Sequence, residues 1–150
     1  MTQPSFLVLV GNRHFGFNRA KLPLCNEIIK NILTDAVKRY GSDLNVVSIS
    51  CDTAFGRCVR DYCFENGIRF CEFTVYFNGP RGRKEDYNAV YCARNSSLVD
   101  IGTEFHLVLG SRSRETGEVV VDLLNKVKVS VKPYVMYDET GTQIEFYWPE

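Results

Sequence analysis

The sequence has no apolar run approaching the ~20 residues that a membrane-spanning helix needs. Met1–Ser5 carry no basic stretch leading into an apolar one, so neither a membrane span nor a signal peptide is expected. There is no net charge either, because 18 Lys and Arg balance 18 Asp and Glu. With no basic stripe to compensate, a nucleic-acid binder is disfavoured. Histidine is scarce, at two residues, His14 and His106. No Ser/His/Asp set or nucleophile elbow accompanies them. A P-loop is missing, and Gly11-Asn-Arg-His-Phe-Gly16 is not the G-x-G-x-x-G of dinucleotide-binding turns. The six cysteines, Cys25, Cys51, Cys58, Cys63, Cys71 and Cys92, lack the spacing of zinc sites. With no secretion signal they read as reduced structural thiols. No metal and no cofactor is expected, and the expected location is the cytoplasm.

What remains is ordinary globular composition, 45% apolar and 24% charged, over 150 residues. That length fits one domain, residues 1–150, able to bury a core without staples. No repeat, low-complexity tract or linker divides it.

Ser5–Val10 is a continuous apolar run with β-branched residues, the pattern of a strand buried on both faces. Pro23–Tyr40 has helical periodicity, with Leu24, Ile28, Ile32, Leu33, Ala36, Val37 and Tyr40 on one face, and Gly41 at its cap. A strand over Leu44–Ser50, a helix over Thr53–Glu65 closed by Asn66-Gly67, and a strand over Ile68–Phe77 follow. Asp86 is placed to cap a third helix running to Leu98. Then come a strand over Glu104–Leu109, a helix over Thr116–Lys126, and strands over Val127–Tyr137 and Gln143–Tyr147 joined at Asp138–Gly141. His106 alternates within its strand and reads as structural. The alternation of strand and helix predicts an α/β fold: a three-layer, Rossmann-like open sheet, mostly parallel, with a C-terminal antiparallel hairpin at its edge.

Ligands of open parallel sheets bind beyond the carboxyl ends of the strands, near the switch in strand order. That rule selects the loops at Gly11–Phe17, Cys51–Gly56, Asn78–Asp86 and Gly110–Gly117. Arg81, Arg83, Arg112 and Arg114 lie in two of them. Guanidinium forks match phosphate oxygens, and helix starts at Thr53 and Thr116 would add N–H donors. His14, in the first loop, is a candidate acid/base or phosphate contact. The pattern points to an anionic, phosphorylated ligand.

Four segments carry a resemblance. Val10-Gly11-Asn12-Arg13 ends the first strand. Val47-Ser-Ile-Ser-Cys51-Asp52-Thr53-Ala54-Phe55-Gly56 leads from the second strand into a helix. Cys92-Ala93-Arg94-Asn95-Ser96-Ser97-Leu98-Val99 occupies the third helix, and Gly110-Ser-Arg-Ser-Arg-Glu-Thr116-Gly117-Glu118 follows the fourth strand. Over residues 5–135 the chain resembles a divergent member of the SLOG superfamily, which includes LOG-like phosphoribohydrolases, DprA-like and YspA-like proteins. Ser50-Cys51 stands where that family has a double glycine. The last segment keeps a threonine, a glycine and a glutamate in a different order. The resemblance implies a Rossmann-type nucleotide-binding domain. Arg94 and Glu118 inherit the catalytic positions. Gly11, Asn12, Arg13, Cys51, Asp52, Thr53, Gly56, Gly79, Arg81, Asn95, Arg114, Thr116 and Gly117 form the ligand-binding set.

Three functions compete. The first is binding of a nucleotide or nucleotide-derived ligand, for sensing or sequestration. The second is cleavage of an N-glycosidic bond in a nucleotide, with nucleoside deoxyribosyltransferases as a neighbouring chemistry. The third is an interaction protein that forms a homodimer through Tyr134, Tyr137, Phe146, Tyr147 and Trp148.

Overall fold

The computed structural model describes residues 4–11, 22–49, 54–73, 84–109 and 114–149, with 84–89 and 114–119 described by their backbone. In chain order the elements are β1 (Ser5–Gly11), α1 (Leu22–Tyr40), a 3₁₀ turn (Gly41–Asp43), β2 (Leu44–Ile49), α2 (Ala54–Glu65), β3 (Arg69–Phe73), α3 (Lys84–Ile101), β4 (Glu104–Val108), α4 (Arg114–Val129), β5 (Tyr134–Tyr137) and β6 (Gln143–Tyr147). They build one six-stranded sheet in the order β3-β2-β1-β4-β5-β6. All neighbours are parallel except β5 and β6. The fold is therefore the α/β, Rossmann-like open sheet with an antiparallel edge that the sequence predicts.

The continuous apolar runs are explained by layers on both faces. Leu7 and Leu9 of β1 face α1 and α2, together with Val46, Ile29, Leu33, Phe55 and Val59. Val8 and Val10 face α3 and α4, together with Val47, Leu98, Phe105, Leu107 and Leu123. No residue of β1 from Leu7 to Gly11 is left exposed, so strict alternation is not needed there.

Helix ends follow backbone chemistry. Gly67, at φ +65°, closes α2, and the Ile68 N–H reaches back to the Cys63 carbonyl at 2.9 Å. At the end of α3 the Lys132 ammonium donates to the carbonyls of Val99 and Gly102. These acceptors have no partner within the helix, and a cation there also meets the negative end of the helix dipole. Lys132→Met is expected to lower stability by about 1 kcal/mol in urea unfolding. An unchanged midpoint would show that water satisfies those carbonyls equally well.

Several sequence expectations need correction. The strand expected from Val127 is not there, because α4 continues to Val129 and β5 begins only at Tyr134. The Val/Lys alternation over 127–132 mimics a strand. In fact Val127 is fully buried on the helical face of Leu123 and Leu124, while Val129 is 84% exposed. On α1, Cys25 and Ile29 take core positions, whereas Val37 faces solvent. Asp86 is not a cap, since α3 already begins at Lys84, and α3 runs on to Ile101. The polar loop expected up to Thr116 ends earlier, because α4 starts at Arg114.

The hairpin over Asp138–Gly141 forms as expected. The Asp138 carboxylate accepts the N–H groups of Thr140 and Thr142 at 2.9 and 3.0 Å. Gly141 takes φ +86°.

Candidate functional site

The order β3-β2-β1-β4-β5-β6 reverses direction between β1 and β4, so the switch point lies there. Gly11 pairs with Val108 at its carboxyl end. The loops leaving this end lie mostly outside the described residues. Asn12, Arg13, His14, Cys51, Asp52, Thr53, Gly79, Arg81, Arg83 and Arg112 are all outside them. Arg114, Thr116, Gly117 and Glu118 are placed by their backbone at the start of α4. That helix follows β4, so its free N–H groups begin on the carboxyl side of the sheet.

Gly11 has a packing reason to be glycine. A β-carbon there would lie 2.6 Å from the Phe55 ring, which α2 seats against the end of β1. Gly56 is buried in the same first turn of α2.

Arg94 and Asn95 lie on α3, and both side chains are turned inward. Arg94 is 8% exposed and Asn95 is fully buried. The Arg94 guanidinium sits over the Tyr91 ring, 5.1 Å from its centroid. Tyr91 is one turn nearer the start of α3, so the arginine reaches towards the carboxyl end of the sheet, as long helical side chains do. Its Nη2 donates to Asn95 Oδ1 at 3.1 Å. The Asn95 amide in turn donates to Asp122 on α4 at 3.1 Å, and Asp122 pairs with Lys126 at 2.6 Å. Lys126 also donates to the Cys92 carbonyl at 3.2 Å, closing the tie between α3 and α4.

Among the described residues no carboxylate pairs with Arg94, and its buried Nε has no hydrogen-bond acceptor. Burial drags the guanidinium down to about 10, with only partial relief from Tyr91 and Cys92. A buried cation without a counter-charge is costly to a fold. Asn95, oriented by Asp122, holds it in that position.

The sequence reading missed Asp122 and Lys126. Their i,i+4 spacing on α4 was the available signal, but nothing local shows that Asp122 meets Asn95. It also missed a second polar cluster at the amino end of the sheet. Glu104, 1% exposed, accepts both ends of the Arg39 guanidinium at 2.7 Å each. It also accepts the Tyr40 hydroxyl and pairs with His106 Nε2 at 2.6 Å. His106 Nδ1 meets the Tyr137 hydroxyl at 2.7 Å. Burial raises the Glu104 carboxyl, but the bonds from Arg39, His106 and Tyr40 outweigh it and bring it down to about 2. Every acceptor of this carboxylate is taken and the group is enclosed, so it ties α1, β4 and β5 together as a structural cluster. His106 keeps the structural role expected of it.

Among the described residues no group of His, Cys, Asp and Glu could hold a metal. No described helix is long and apolar enough to cross a membrane. No protein-family model matches the chain, and no curated protein matches it.

Proposed function

We propose that the chain binds a nucleotide or nucleotide-derived phosphorylated ligand at the carboxyl ends of β1 and β4, as a sensing or sequestering domain of divergent SLOG type. One observation carries the reading: Arg94 is buried, held by Asn95, and lacks any anionic partner among the described residues. A phosphate would supply the missing charge and accept from Nε and a free Nη hydrogen in the fork geometry that guanidinium offers. The start of α4 supports the same place, since helix N-termini favour phosphate.

The test is thermal shift against nucleoside monophosphates, dinucleotides and ADP-ribose. A ligand at 100 times its dissociation constant is expected to stabilise the chain by about 2.7 kcal/mol, and Arg94→Met is expected to remove that gain. Stabilisation that survives the substitution would overturn the assignment. Release of free base from a monophosphate, lost in Glu118→Gln, would turn the reading into N-glycosidic hydrolysis.

A second reading, self-association, has its own support. β6 is an edge strand. Its Glu145 and Tyr147 face the α4 side, where Lys128 and Tyr134 meet them. Ile144, Phe146 and Trp148 alternate on the other face, with Phe146 62% exposed. Of the aromatic residues expected at an interface, Tyr134 and Tyr137 belong to the core instead, which leaves Phe146 and Trp148 for contact. Open apolar edges pair readily, and a second copy of β6 would bury this stripe. Light scattering at micromolar concentration is expected to give twice the 17.1 kDa chain mass, falling to one chain in Phe146→Lys. A monomeric unsubstituted chain removes this reading.

A further inference from the structure

Arginine offers only hydrogen-bond donors, and an ionised carboxylate offers only acceptors. Asn95 stands between one of each. Its Oδ1 accepts from the Arg94 guanidinium at 3.1 Å, and its amide donates to Asp122 at 3.1 Å. Asp122 is ionised: against the opposing pull of burial, the bonds from Lys126 and Asn95 hold its carboxyl below the ordinary range. Only one orientation of the Asn95 amide therefore satisfies both neighbours, since the reverse sets donor against donor at Arg94.

Charge is unevenly shared along this chain of bonds. Lys126 meets Asp122 at 2.6 Å and offsets its charge. Two cations and one carboxylate leave one positive charge, and it stays on Arg94, which is 8% exposed and whose Nε has no acceptor among the described residues. A carboxylate at position 95 would hold the guanidinium more strongly than an amide does. The amide holds it and leaves its charge free.

We infer that Asn95 sets the charge specificity of the Arg94 site: it passes on the hold of Asp122 without the charge, so the site takes an anionic group and excludes a neutral one. The inference rests on the phosphate-binding reading above and adds what selects the ligand. A neutral group leaves the buried guanidinium without a counter-charge, which is the discrimination such a site needs. Asp122 and Lys126 are positioning residues, acting on Arg94 through the Asn95 amide and through the balance of charge.

The test exchanges the two groups. Asn95→Asp combined with Asp122→Asn keeps the side-chain sizes, the net charge and a hydrogen bond at each contact, but moves the carboxylate onto Arg94. The probes are adenosine monophosphate and ADP-ribose, titrated by calorimetry. The exchange is expected to weaken binding roughly a hundredfold, because the phosphate then meets a neutralised guanidinium beside a like charge. Without ligand the exchanged chain is expected to melt no lower than the unsubstituted one.

If Asn95 served only to hold Arg94 in place, the exchange would leave affinity unchanged, because it holds the guanidinium at least as firmly. Equal affinity therefore overturns the inference and leaves phosphate binding standing. If neither probe binds the unsubstituted chain, the phosphate reading falls and the inference falls with it. Lys126→Met decides the matter should the exchanged chain fold poorly, since Lys126 is partly exposed and the Asn95 bonds stay in place. With the Asp122 charge no longer offset, binding is expected to weaken roughly threefold or more. Unchanged affinity in that variant overturns the inference.

Discussion

Glu104→Ala is expected to destabilise the chain by about 3–5 kcal/mol, the cost of removing one partner of a buried charged pair. The loss falls on both neighbours. Arg39 forfeits two charge-assisted bonds, and His106 loses the acceptor that orients it towards Tyr137. Urea unfolding at neutral pH reads the effect. A change below about 1 kcal/mol would mean that water replaces the carboxylate without penalty.

The pH dependence gives a second, independent check. The folded carboxyl titrates at about 2, against an ordinary 4.5, because its bonds favour the charged form. Protons therefore bind the unfolded chain more readily. The stabilisation is whole above about pH 4.5 and fades as pH falls from there through 2. It amounts to about 3 kcal/mol. The isosteric Glu104→Gln has no such titration. The stability gap between it and the unsubstituted chain is expected to narrow between pH 4.5 and pH 2. A gap of constant size across that range would contradict the ionised, bonded carboxylate.

Arg94→Met is expected to act in the opposite direction on the free protein. Replacing buried ion pairs with apolar side chains is often neutral or gains about 1–4 kcal/mol, and a buried cation with no counter-charge among the described residues is expected to fall in that range. For a chain of this size each kcal/mol raises the melting temperature by roughly 2–4 °C. The same substitution is expected to abolish binding of the proposed phosphorylated ligand. Calorimetric melting with and without ligand separates the two effects. A variant that melts lower than the unsubstituted chain would show that the guanidinium is compensated in the free protein. Arg94 would then be a structural residue. The expected pairing of higher stability with lost binding is what a site strained for function produces.

These two clusters differ in how visible they were in the sequence. The layered sheet was legible because burial on both faces leaves continuous apolar strands, as in Leu7–Val10. Arg94 and Asn95 came from resemblance, since nothing in helical periodicity distinguishes a buried arginine from an exposed one. The Asn95–Asp122 bond joins residues 27 apart on different helices, a separation that no local pattern records. Glu104 and His106 did leave a trace. They are two ionisable residues at i and i+2 on one face of a strand that is buried throughout. That spacing marks a shared environment, and a carboxylate so placed demands a cation. The search for it would have led to Arg39 at the end of α1. Val127–Val131 misled for a simpler reason. Valine at every second position satisfies a strand pattern, yet Val127 alone was needed by the core.

The contact between Gly11 and Phe55 bears on how sequences of this fold would diverge. Because the ring occupies the space where a β-carbon would be, glycine is held at that position by packing. A lineage that abandoned its ligand would keep Gly11 for as long as it kept Phe55. Among the described residues Arg94 is held by the neutral Asn95 amide and the Tyr91 ring alone, and without an anion to bind, its replacement by an apolar residue would be favoured. Among descendants, the arginine rather than the glycine would therefore register whether the proposed binding is under selection.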